Sequence, residues 1–338
     1  MAWNPGQTLQ DGKYILEGKL GQGRFAITYL AKDRSGNKLV IKTLDEDKLN
    51  QLTPGERNSL TNKFVNEGRK LERCKHAHVV SLLDTFMEGQ LFCLAMEYIH
   101  GDTLESIVRV RKFLPEQEAL GYIRQIGEAL IEVHKQGLLH RDVKPENIIV
   151  RAGQHNAVLI DFDLADEFDH PLTSRFKDKR FAPIELNSST RPRGSYTDVY
   201  SLAATLYLIL TGKLPASAMD RKDGTASLIP PKIINTLISE PVNHAILKGM
   251  ELQLDARPQT MEKWLNLLGF TSNPESLPPP RKKEWNWATI WGAVAAIAGV
   301  LAAIVALIAY LKPPSSPSPE PASSTEPKLQ VTPTQTNN

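Results

Sequence analysis

The chain has 338 residues, of which 23% are charged, and its formal net charge is +2 at pH 7. Such a length can hold one large two-lobed domain with appendages, and this charge balance indicates neither a nucleic-acid-binding protein nor a disordered polyelectrolyte. The two cysteines, Cys74 and Cys93, are too few for a disulfide framework and lack the spacing of a zinc site. We expect buried thiols in a reducing compartment, with a reactive thiol as the alternative.

The first predicted elements surround a glycine-rich turn. Residues 1–13 are predicted to be a short leader without the apolar core of a signal peptide. The segment GQGRFAITYLAK (21–32), with apolar alternation on both sides, predicts a strand, a tight turn and a second strand. Glycines in such a turn let backbone amides approach phosphates without a side chain in the way. We expect Phe25, at the tip, to cover the phosphates, and Ala26 to leave the turn stiffer than a third glycine would.

The sequence HRDVKPEN, at residues 140–147, carries the most chemical information in the chain. In a catalytic loop for phosphoryl transfer, Asp142 can accept the proton of an attacking hydroxyl and Lys144 can neutralise the transferred phosphate. Asn147 can hold a metal ion in the same loop. The spacing therefore predicts a phosphotransferase.

Companion motifs stand on both sides of this loop. They are Val40-Ile41-Lys42 on a predicted strand, a helix with Phe64 and Leu71 on one face around Glu67, LAMEYI (94–99), DFD (161–163), FAPIE (181–185), YTDVYSLAATLYLILTG (196–212) and LDARP (254–258). In this order they resemble the motifs of protein kinases. The overall plan is similar to that of bacterial eukaryotic-like (Hanks-type) membrane-anchored serine/threonine kinases, and Lys144 after Asp142 is the form typical of serine/threonine specificity.

The resemblance implies an α+β fold with a small β-rich lobe over residues 14–97 and a helical lobe over residues 98–268. It implies transfer of the ATP γ-phosphate to Ser or Thr hydroxyls of protein substrates with Mg²⁺, or alternatively Mn²⁺. The implied ATP-binding residues are Leu20, Gly21, Gly23, Phe25, Lys42, Met96, Glu97 and Ile99. The implied catalytic residues are Asp142 as the base, Lys144, Lys42 and the helix residue that pairs with it, Glu67, and the implied metal ligands are Asn147 and Asp161.

The same resemblance implies contacts that hold the large lobe together. Glu185 is expected to pair with Arg257, and Asp198 is expected to support the catalytic loop from a buried helix. The loop with His76 and His78 is expected to anchor the Glu67 helix to the large lobe. A metal site at these two histidines is disfavoured because a third ligand is missing.

Regulation is expected to involve Arg141, which in this family usually receives a phosphate or a carboxylate from the activation segment. Thr173 and Ser174 are the nearest hydroxyls and therefore the predicted autophosphorylation sites. The alternative is a built-in carboxylate partner, for which the candidates are Asp166, Glu167, Asp169 and Asp178.

Three departures from the family pattern favour an alternative, an ATP-binding pseudokinase or signalling scaffold. They are Ala26 in the glycine-rich turn, Asp163 in place of glycine, and Asp178 where a threonine is usual. We expect Asp163 to give a slow enzyme with unusual divalent-metal dependence. The complete set of catalytic and metal-binding residues favours an active kinase, and a small-molecule phosphotransferase on the same fold is a third alternative.

An uncharged apolar run at residues 288–311 predicts one transmembrane helix, because about 20 apolar residues span a hydrocarbon core. Tryptophans at one end and Tyr310 at the other are typical of membrane interfaces. Basic residues in the Pro-rich linker 269–287 indicate that the kinase-like domain is cytoplasmic. The tail 312–338 is predicted to be disordered and extracytoplasmic. Small residues of the span, such as Gly292 and Gly299, could support a homodimer.

Overall fold

An antiparallel sheet of six strands, in the order β1-β2-β3-β4-β6-β5, forms the small lobe. The structure, a computed structural model, describes residues 3–23, 25–162, 180–188 and 190–270. The strands span Thr8–Leu9 (β1), Tyr14–Gln22 (β2), Ala26–Asp33 (β3), Lys38–Leu44 (β4), Leu82–Glu88 (β5) and Leu91–Glu97 (β6).

Helices follow β4 on one side of the sheet, at Glu46–Leu49 (α1) and Pro54–Arg73 (α2). The start of α2 is fixed by a capping box, in which Thr53 caps the backbone of Glu56 and the Glu56 side chain returns a bond to Thr53. The buried face of α2 includes Phe64 and Leu71, as predicted, and it packs into the main hydrophobic core.

The opposite face of the sheet forms a second, smaller apolar cluster, because side chains alternate between the two faces of a strand. Leu16, Ile27 and Ile41 belong to this cluster, and Trp3 packs against it. Trp3 also donates its backbone N–H to the Tyr29 hydroxyl at 3.1 Å. Part of the segment predicted to be a leader therefore contributes β1 and an aromatic cover to the small lobe.

The large lobe is built from helices around one long apolar helix. Its elements are a small sheet of Gly101–Thr103 (β7), Ile148–Arg151 (β8) and Ala157–Leu159 (β9), and helices Leu104–Arg111 (α3), Glu116–Lys135 (α4), Ser195–Thr211 (α5), Ala218–Lys222 (α6), Pro231–Ile234 (α7), Glu240–Gly249 (α8) and Met261–Leu267 (α9). Every residue of α5 from Thr197 to Thr211 is buried, which confirms the predicted core helix.

Helices α4 and α5 run in opposite directions through this lobe. Near the end of α4, His134 bonds to Asp198 near the start of α5 at 2.8 Å. At the other end, just before α4 begins, Leu114 donates its N–H to the carbonyl of Ile209 near the end of α5 at 2.7 Å. With 17 residues, α5 is about 25 Å long, so the two ends of the lobe are separated by this distance.

The loop between α2 and β5 joins the two lobes. His78 Nδ1 bonds to the carbonyl of Ala157 at 2.8 Å, and Val79 forms a parallel bridge with Leu159 of β9. The predicted anchoring role of this loop is confirmed. Within the described part of the chain, we find no helix with the length and hydropathy of a membrane span; the predicted span 288–311 and the predicted tail lie outside that part.

Candidate functional site

A cavity of about 530 Å³ opens between the glycine-rich turn and the large lobe. This volume lies in the range of small-molecule sites. Every predicted ATP-binding residue lines it, together with the two acidic residues of the predicted chemistry: Leu20, Gly21, Gly23, Phe25, Lys42, Met96, Glu97, Ile99, Asp142 and Asp161. The fold therefore brings together residues that are up to 141 positions apart (Leu20 to Asp161) in the chain.

The glycine-rich turn closes by a bond from the N–H of Gly23 to the carbonyl of Ala26 at 2.8 Å. Phe25 lies inside this turn and is only 1% exposed. Its carbonyl accepts the N–H of Asp45 at 2.7 Å, and its ring belongs to the main apolar core. Phe25, which was expected at the tip over the phosphates, thus lines the cavity from within the small lobe, with its ring among apolar neighbours.

The rear of the cavity is formed by the segment that joins the lobes. Met96, one of the implied ATP-binding residues, is 6% exposed and lines the cavity. The N–H of Glu97 donates to the carbonyl of Ser81 at 2.9 Å. The Glu97 N–H is therefore already bonded within the protein. The Glu97 carbonyl and the backbone groups of Ile99 remain to form hydrogen bonds with the edge of an adenine ring.

The catalytic loop gathers two polar side chains around one carboxylate. Oδ2 of Asp142 accepts bonds from Lys144 Nζ at 2.7 Å and from Asn147 Nδ2 at 2.9 Å. Asn147 also donates to the Asp142 backbone carbonyl at 2.8 Å, at the end of a 3₁₀ turn over Pro145–Asn147. These bonds fix the carboxylate at the cavity mouth.

The surroundings of Asp142 make its carboxylate more ready to take up a proton. Burial raises the pKa of Asp142, although the neighbouring Lys144 ammonium opposes this effect. Burial alone would lower the pKa of Lys144, but the charge of Asp142 outweighs it and raises that pKa. Lys144 therefore remains a cation, and Asp142 is a stronger base than an ordinary aspartate.

Asp198 supports the catalytic loop from α5, as predicted. It is fully buried, and its two oxygens accept the N–H groups of His140 at 2.9 Å and Arg141 at 2.8 Å. Burial raises the pKa of Asp198, but the bond from His134 and the two nearby histidines outweigh this and lower it. The anion holds Arg141 in a left-handed backbone conformation, with φ of 65°.

Four charged residues, of which Lys42 and Asp161 line the cavity, are paired differently from the prediction. Lys42 Nζ donates to Asp161 Oδ1 at 2.6 Å and to the carbonyl of Phe162 at 2.7 Å. Arg141 Nη1 donates to Glu67 Oε1 at 3.2 Å. The predicted Lys42–Glu67 pair is thus wrong for this conformation, because two oxygens near Asp161 satisfy Lys42 while the fixed backbone of Arg141 presents its guanidinium to Glu67.

The predicted metal ligands have suitable chemistry. Asp161 is a carboxylate at the cavity wall, and Asn147 bonds through its amide nitrogen, which leaves the amide oxygen as a ligand atom. Carboxylate and amide oxygens are the ligands of hard divalent cations. The residues present therefore fit a magnesium-type ion.

The predicted ion pair that braces the large lobe is confirmed. Arg257 Nη1 lies 2.7 Å from Glu185 Oε1, and both side chains are fully buried. Arg257 also donates to the carbonyls of Glu251 at 3.1 Å and Tyr196 at 2.9 Å. This pair connects the segment before α5 to the turn before α9.

Sequence reasoning missed the apolar walls of the cavity. Val40, Val80, Ile149 and Ile160 line it. A signal was present for two of them, since Val40 shares a strand face with Lys42 and Ile149 follows Asn147 by two residues. The predictions for Asp163, Thr173, Ser174 and Asp178 concern positions outside the described residues.

Comparison with known proteins agrees with this geometry. A family model described as the protein kinase domain matches residues 14–258, so the chain belongs to the protein kinase family. A probable serine/threonine-protein kinase of Clostridium perfringens is 30% identical over 263 residues, covering 74% of this chain and 37% of that protein. The serine/threonine-protein kinase PkaB of Streptomyces coelicolor is 29% identical over 235 residues, covering 64% of this chain and 54% of that protein.

Solved structures show the same fold. The apo form of PpkA-294 superposes with a TM-score of 0.62 at 23% identity, covering 79% of this chain and 99% of that one. Rad53 1-466 in complex with AMP-PNP gives a TM-score of 0.62 at 23% identity, covering 76% of this chain and 65% of that one. The two-lobed α+β prediction is confirmed. The chain spans 37% to 43% of the lengths of three curated kinases that it matches.

Proposed function

We propose that the chain is an ATP-dependent serine/threonine protein kinase. The observation that carries this proposal is the fixed Asp142 carboxylate, held by Lys144 and Asn147 at the mouth of a cavity that also presents Lys42 and Asp161. Serine/threonine kinases among the relatives support the same reaction class.

The chain's own residues account for the transfer as follows. The apolar walls and the Glu97–Ile99 backbone hold the adenine, and Lys42 holds the phosphates of ATP from the inner end. Asp142 orients a substrate hydroxyl and takes its proton as the oxygen attacks the γ-phosphorus and the bond to the ADP oxygen breaks. Lys144, next to Asp142, neutralises charge on the phosphoryl group during transfer.

Asn147 and Asp161 are the residues that would hold Mg²⁺, which when bound would neutralise the phosphate charge. In the described conformation Lys42 already binds one Asp161 oxygen. A bound metal ion would therefore share the Asp161 carboxylate with Lys42, and the two carboxylate oxygens would allow both contacts.

A pseudokinase or scaffold is the competing function. Such proteins usually lack at least one of the lysine and the two aspartates, and here Lys42, Asp142 and Asp161 all line one cavity. This arrangement favours catalysis.

The deciding experiment is phosphate transfer by the full chain. The protein is incubated with labelled ATP, Mg²⁺ and a generic basic protein, beside Asp142→Asn and an exposed control, Asp223→Asn. We expect Asp142→Asn to bind ATP normally but to lose about 10²- to 10⁴-fold in rate, while Asp223→Asn is unchanged. A parent chain that binds Mg-ATP yet phosphorylates nothing, itself included, would establish the pseudokinase.

We further propose that residues 288–311 anchor the protein in the cell membrane, with the kinase domain cytoplasmic. The support is the uncharged run, its aromatic flanks, and the basic residues Arg281, Lys282 and Lys283 before it. Deletion of 285–338 should release an active kinase from membranes, and protease added outside intact cells should reach only the tail. Digestion of the kinase domain from outside would reverse the orientation.

A further inference from the structure

The end of the large lobe opposite the catalytic loop exposes apolar side chains. Ten large apolar side chains are strongly exposed in the described part of the chain, and five of them lie in three segments that meet at the end of α5. We call these five residues the distal patch: Val110, Phe113, Leu214, Ile233 and Leu237. Their exposed fractions are between 43% and 79%, so apolar area is concentrated on one face instead of being scattered.

Hydrogen bonds and close packing bring the three segments together. Leu114, next to Phe113, donates to the carbonyl of Ile209 at 2.7 Å. Asn235 Nδ2, in the segment between Ile233 and Leu237, donates to the carbonyl of Leu210 at 2.9 Å. Gly212 packs directly against the carbonyl of Lys112 and adopts a positive φ of 65°, so a side chain there would separate the segments.

Basic side chains surround the distal patch. Arg109, Lys112 and Lys213 are exposed and are sequence neighbours of Val110, Phe113 and Leu214, respectively. Two of the nearby carboxylates are paired with other cations. Glu118 pairs with Arg111 at 2.7 Å, Glu240 pairs with Lys232 at 2.9 Å, and Glu116 accepts the N–H of Ser239 at 2.7 Å. Glu116 keeps its negative charge, because the Ser239 N–H is neutral, but Arg109, Lys112 and Lys213 outnumber it and the balance around the apolar side chains is positive.

The chain leaves the described domain beside the middle of α4. The Phe270 ring lies 5.8 Å from the guanidinium carbon of Arg124 on α4. Arg124 is eight residues from Glu116 at the start of α4, which corresponds to about 12 Å along the helix. The 17 residues 271–287 separate Phe270 from the apolar run. They can span at most about 60 Å, so they permit contact between the distal patch and the membrane surface.

We propose that the distal patch docks onto the anionic lipid surface of the membrane in which residues 288–311 are anchored. The proposal rests on that anchor. Apolar side chains enter the interfacial region, and Arg109, Lys112 and Lys213 meet lipid phosphates. Because the anchor confines the domain near the bilayer, even a weak surface affinity gives a large docked fraction.

This orientation leaves the catalytic cleft accessible. The catalytic loop lies at the Asp198 end of α5 and the distal patch at the Gly212 end, about 25 Å away. Docking therefore directs the cleft away from the lipid and toward soluble protein substrates. A second copy of the chain is a less suitable occupant, because a two-fold interface would place Arg109, Lys112 and Lys213 opposite the same cations of its partner.

The test measures lipid contact at one position of the full chain. Val110→Cys is labelled with an environment-sensitive fluorophore, and the native thiols stay unlabelled because both are buried. Leu83→Cys on the small lobe, which is 59% exposed against 78% for Val110, is the control. Each protein is reconstituted in phosphatidylcholine vesicles with or without phosphatidylglycerol, and quenching by brominated lipid is recorded. Flotation of the vesicles reports the anchor separately.

We expect quenching at position 110 in anionic vesicles only, and none at position 83. Lys112→Glu and Lys213→Glu should each lower the docked-to-free ratio by about fivefold or more, with kinase activity in detergent unchanged. A floating chain without quenching at 110 overturns the docking while the anchor stands. A fluorescence shift that depends on protein concentration instead of lipid charge would also overturn the docking. It would show that the distal patch binds a second copy of the chain. A chain that does not float refutes the anchor and the docking together.

Discussion

The Glu67 carboxylate accepts a hydrogen bond from Arg141 at 3.2 Å, and this contact joins α2 directly to the catalytic loop. Both side chains are buried, so the pair is stronger than a surface ion pair. Any anion that binds Arg141 more tightly would release Glu67. Lys42 on β4 is the other cation of this group, so we expect the released carboxylate to pair with it.

Glu67→Gln tests whether this exchange is needed for activity. The variant keeps the shape of the side chain but cannot form an ion pair with Lys42, so we expect kcat/KM to fall about 10²-fold through loss of positioning. Steady-state kinetics measure the change. Glu72→Gln, an exposed position on the same helix, should match the parent. Equal rates for all three proteins would show that Glu67 serves only to hold Arg141.

Replacement of Thr173 and Ser174 by Ala tests the source of the competing anion. A phosphate on either hydroxyl would bind Arg141 through charge-assisted bonds, so the double variant should lose activity and its autophosphorylation signal. Mass spectrometry of the parent and kinetics of the variant measure both. Unchanged activity would indicate that a carboxylate of the activation segment takes this role.

Removal of one partner from the buried pair Glu185–Arg257 should destabilise the fold more than removal of both partners. Arg257→Met leaves a buried carboxylate without its guanidinium and should cost about 3–5 kcal/mol of unfolding free energy. The double variant Glu185→Leu/Arg257→Met should recover part of that loss because no isolated charge remains. Urea titration measures each value. Arg111→Met, at an exposed pair with Glu118, should cost only about 0.2–1 kcal/mol. Similar losses at both sites would contradict the role of burial.

Acidification should weaken the fold through His140. Burial lowers the pKa of His140 below its ordinary value, so the unfolded chain takes up a proton at a higher pH than the folded one. Stability is therefore complete above about pH 6.5 and falls below it, by up to about 1.4 kcal/mol per pH unit. Urea titrations at several pH values measure the slope. His140→Asn should flatten it, whereas the exposed control His244→Asn should not.

The two thiols should be inert in the native protein. Burial raises the pKa of Cys74 to about 11 and that of Cys93 to about 12, so neither carries a thiolate at neutral pH. A colorimetric disulfide reagent should react with no thiol in the native state and with both in urea. Rapid labelling of one thiol without urea would indicate local opening of the small lobe.

Sequence motifs predicted those parts of the site that depend on one local geometry. Asp142, Lys144 and Asn147 share a short loop, Asp198 accepts the N–H groups of that loop, and Arg257 pairs with the single buried carboxylate of Glu185, so these contacts followed from the pattern. The partner of Glu67 could not be predicted, because two cations, Lys42 and Arg141, and a second carboxylate, Asp161, can pair in more than one way. The distal patch could not be predicted from the sequence either, since its residues come from three separate segments and lack any common spacing.

The extent of the sheet and the helical core has a practical consequence for anyone who shortens this chain. A fragment cut at the family boundaries, residues 14–258, would lose β1, whose Thr8 and Leu9 pair with β2. It would also lose α9, whose fully buried Trp264 donates to the carbonyl of Ala245 at 2.9 Å. Such a fragment would leave the edge of β2 unpaired in the small lobe and a cavity at the Trp264 position in the large lobe. Both changes favour aggregation. The cooperative folding unit therefore extends beyond both ends of the range 14–258 that the family model matches.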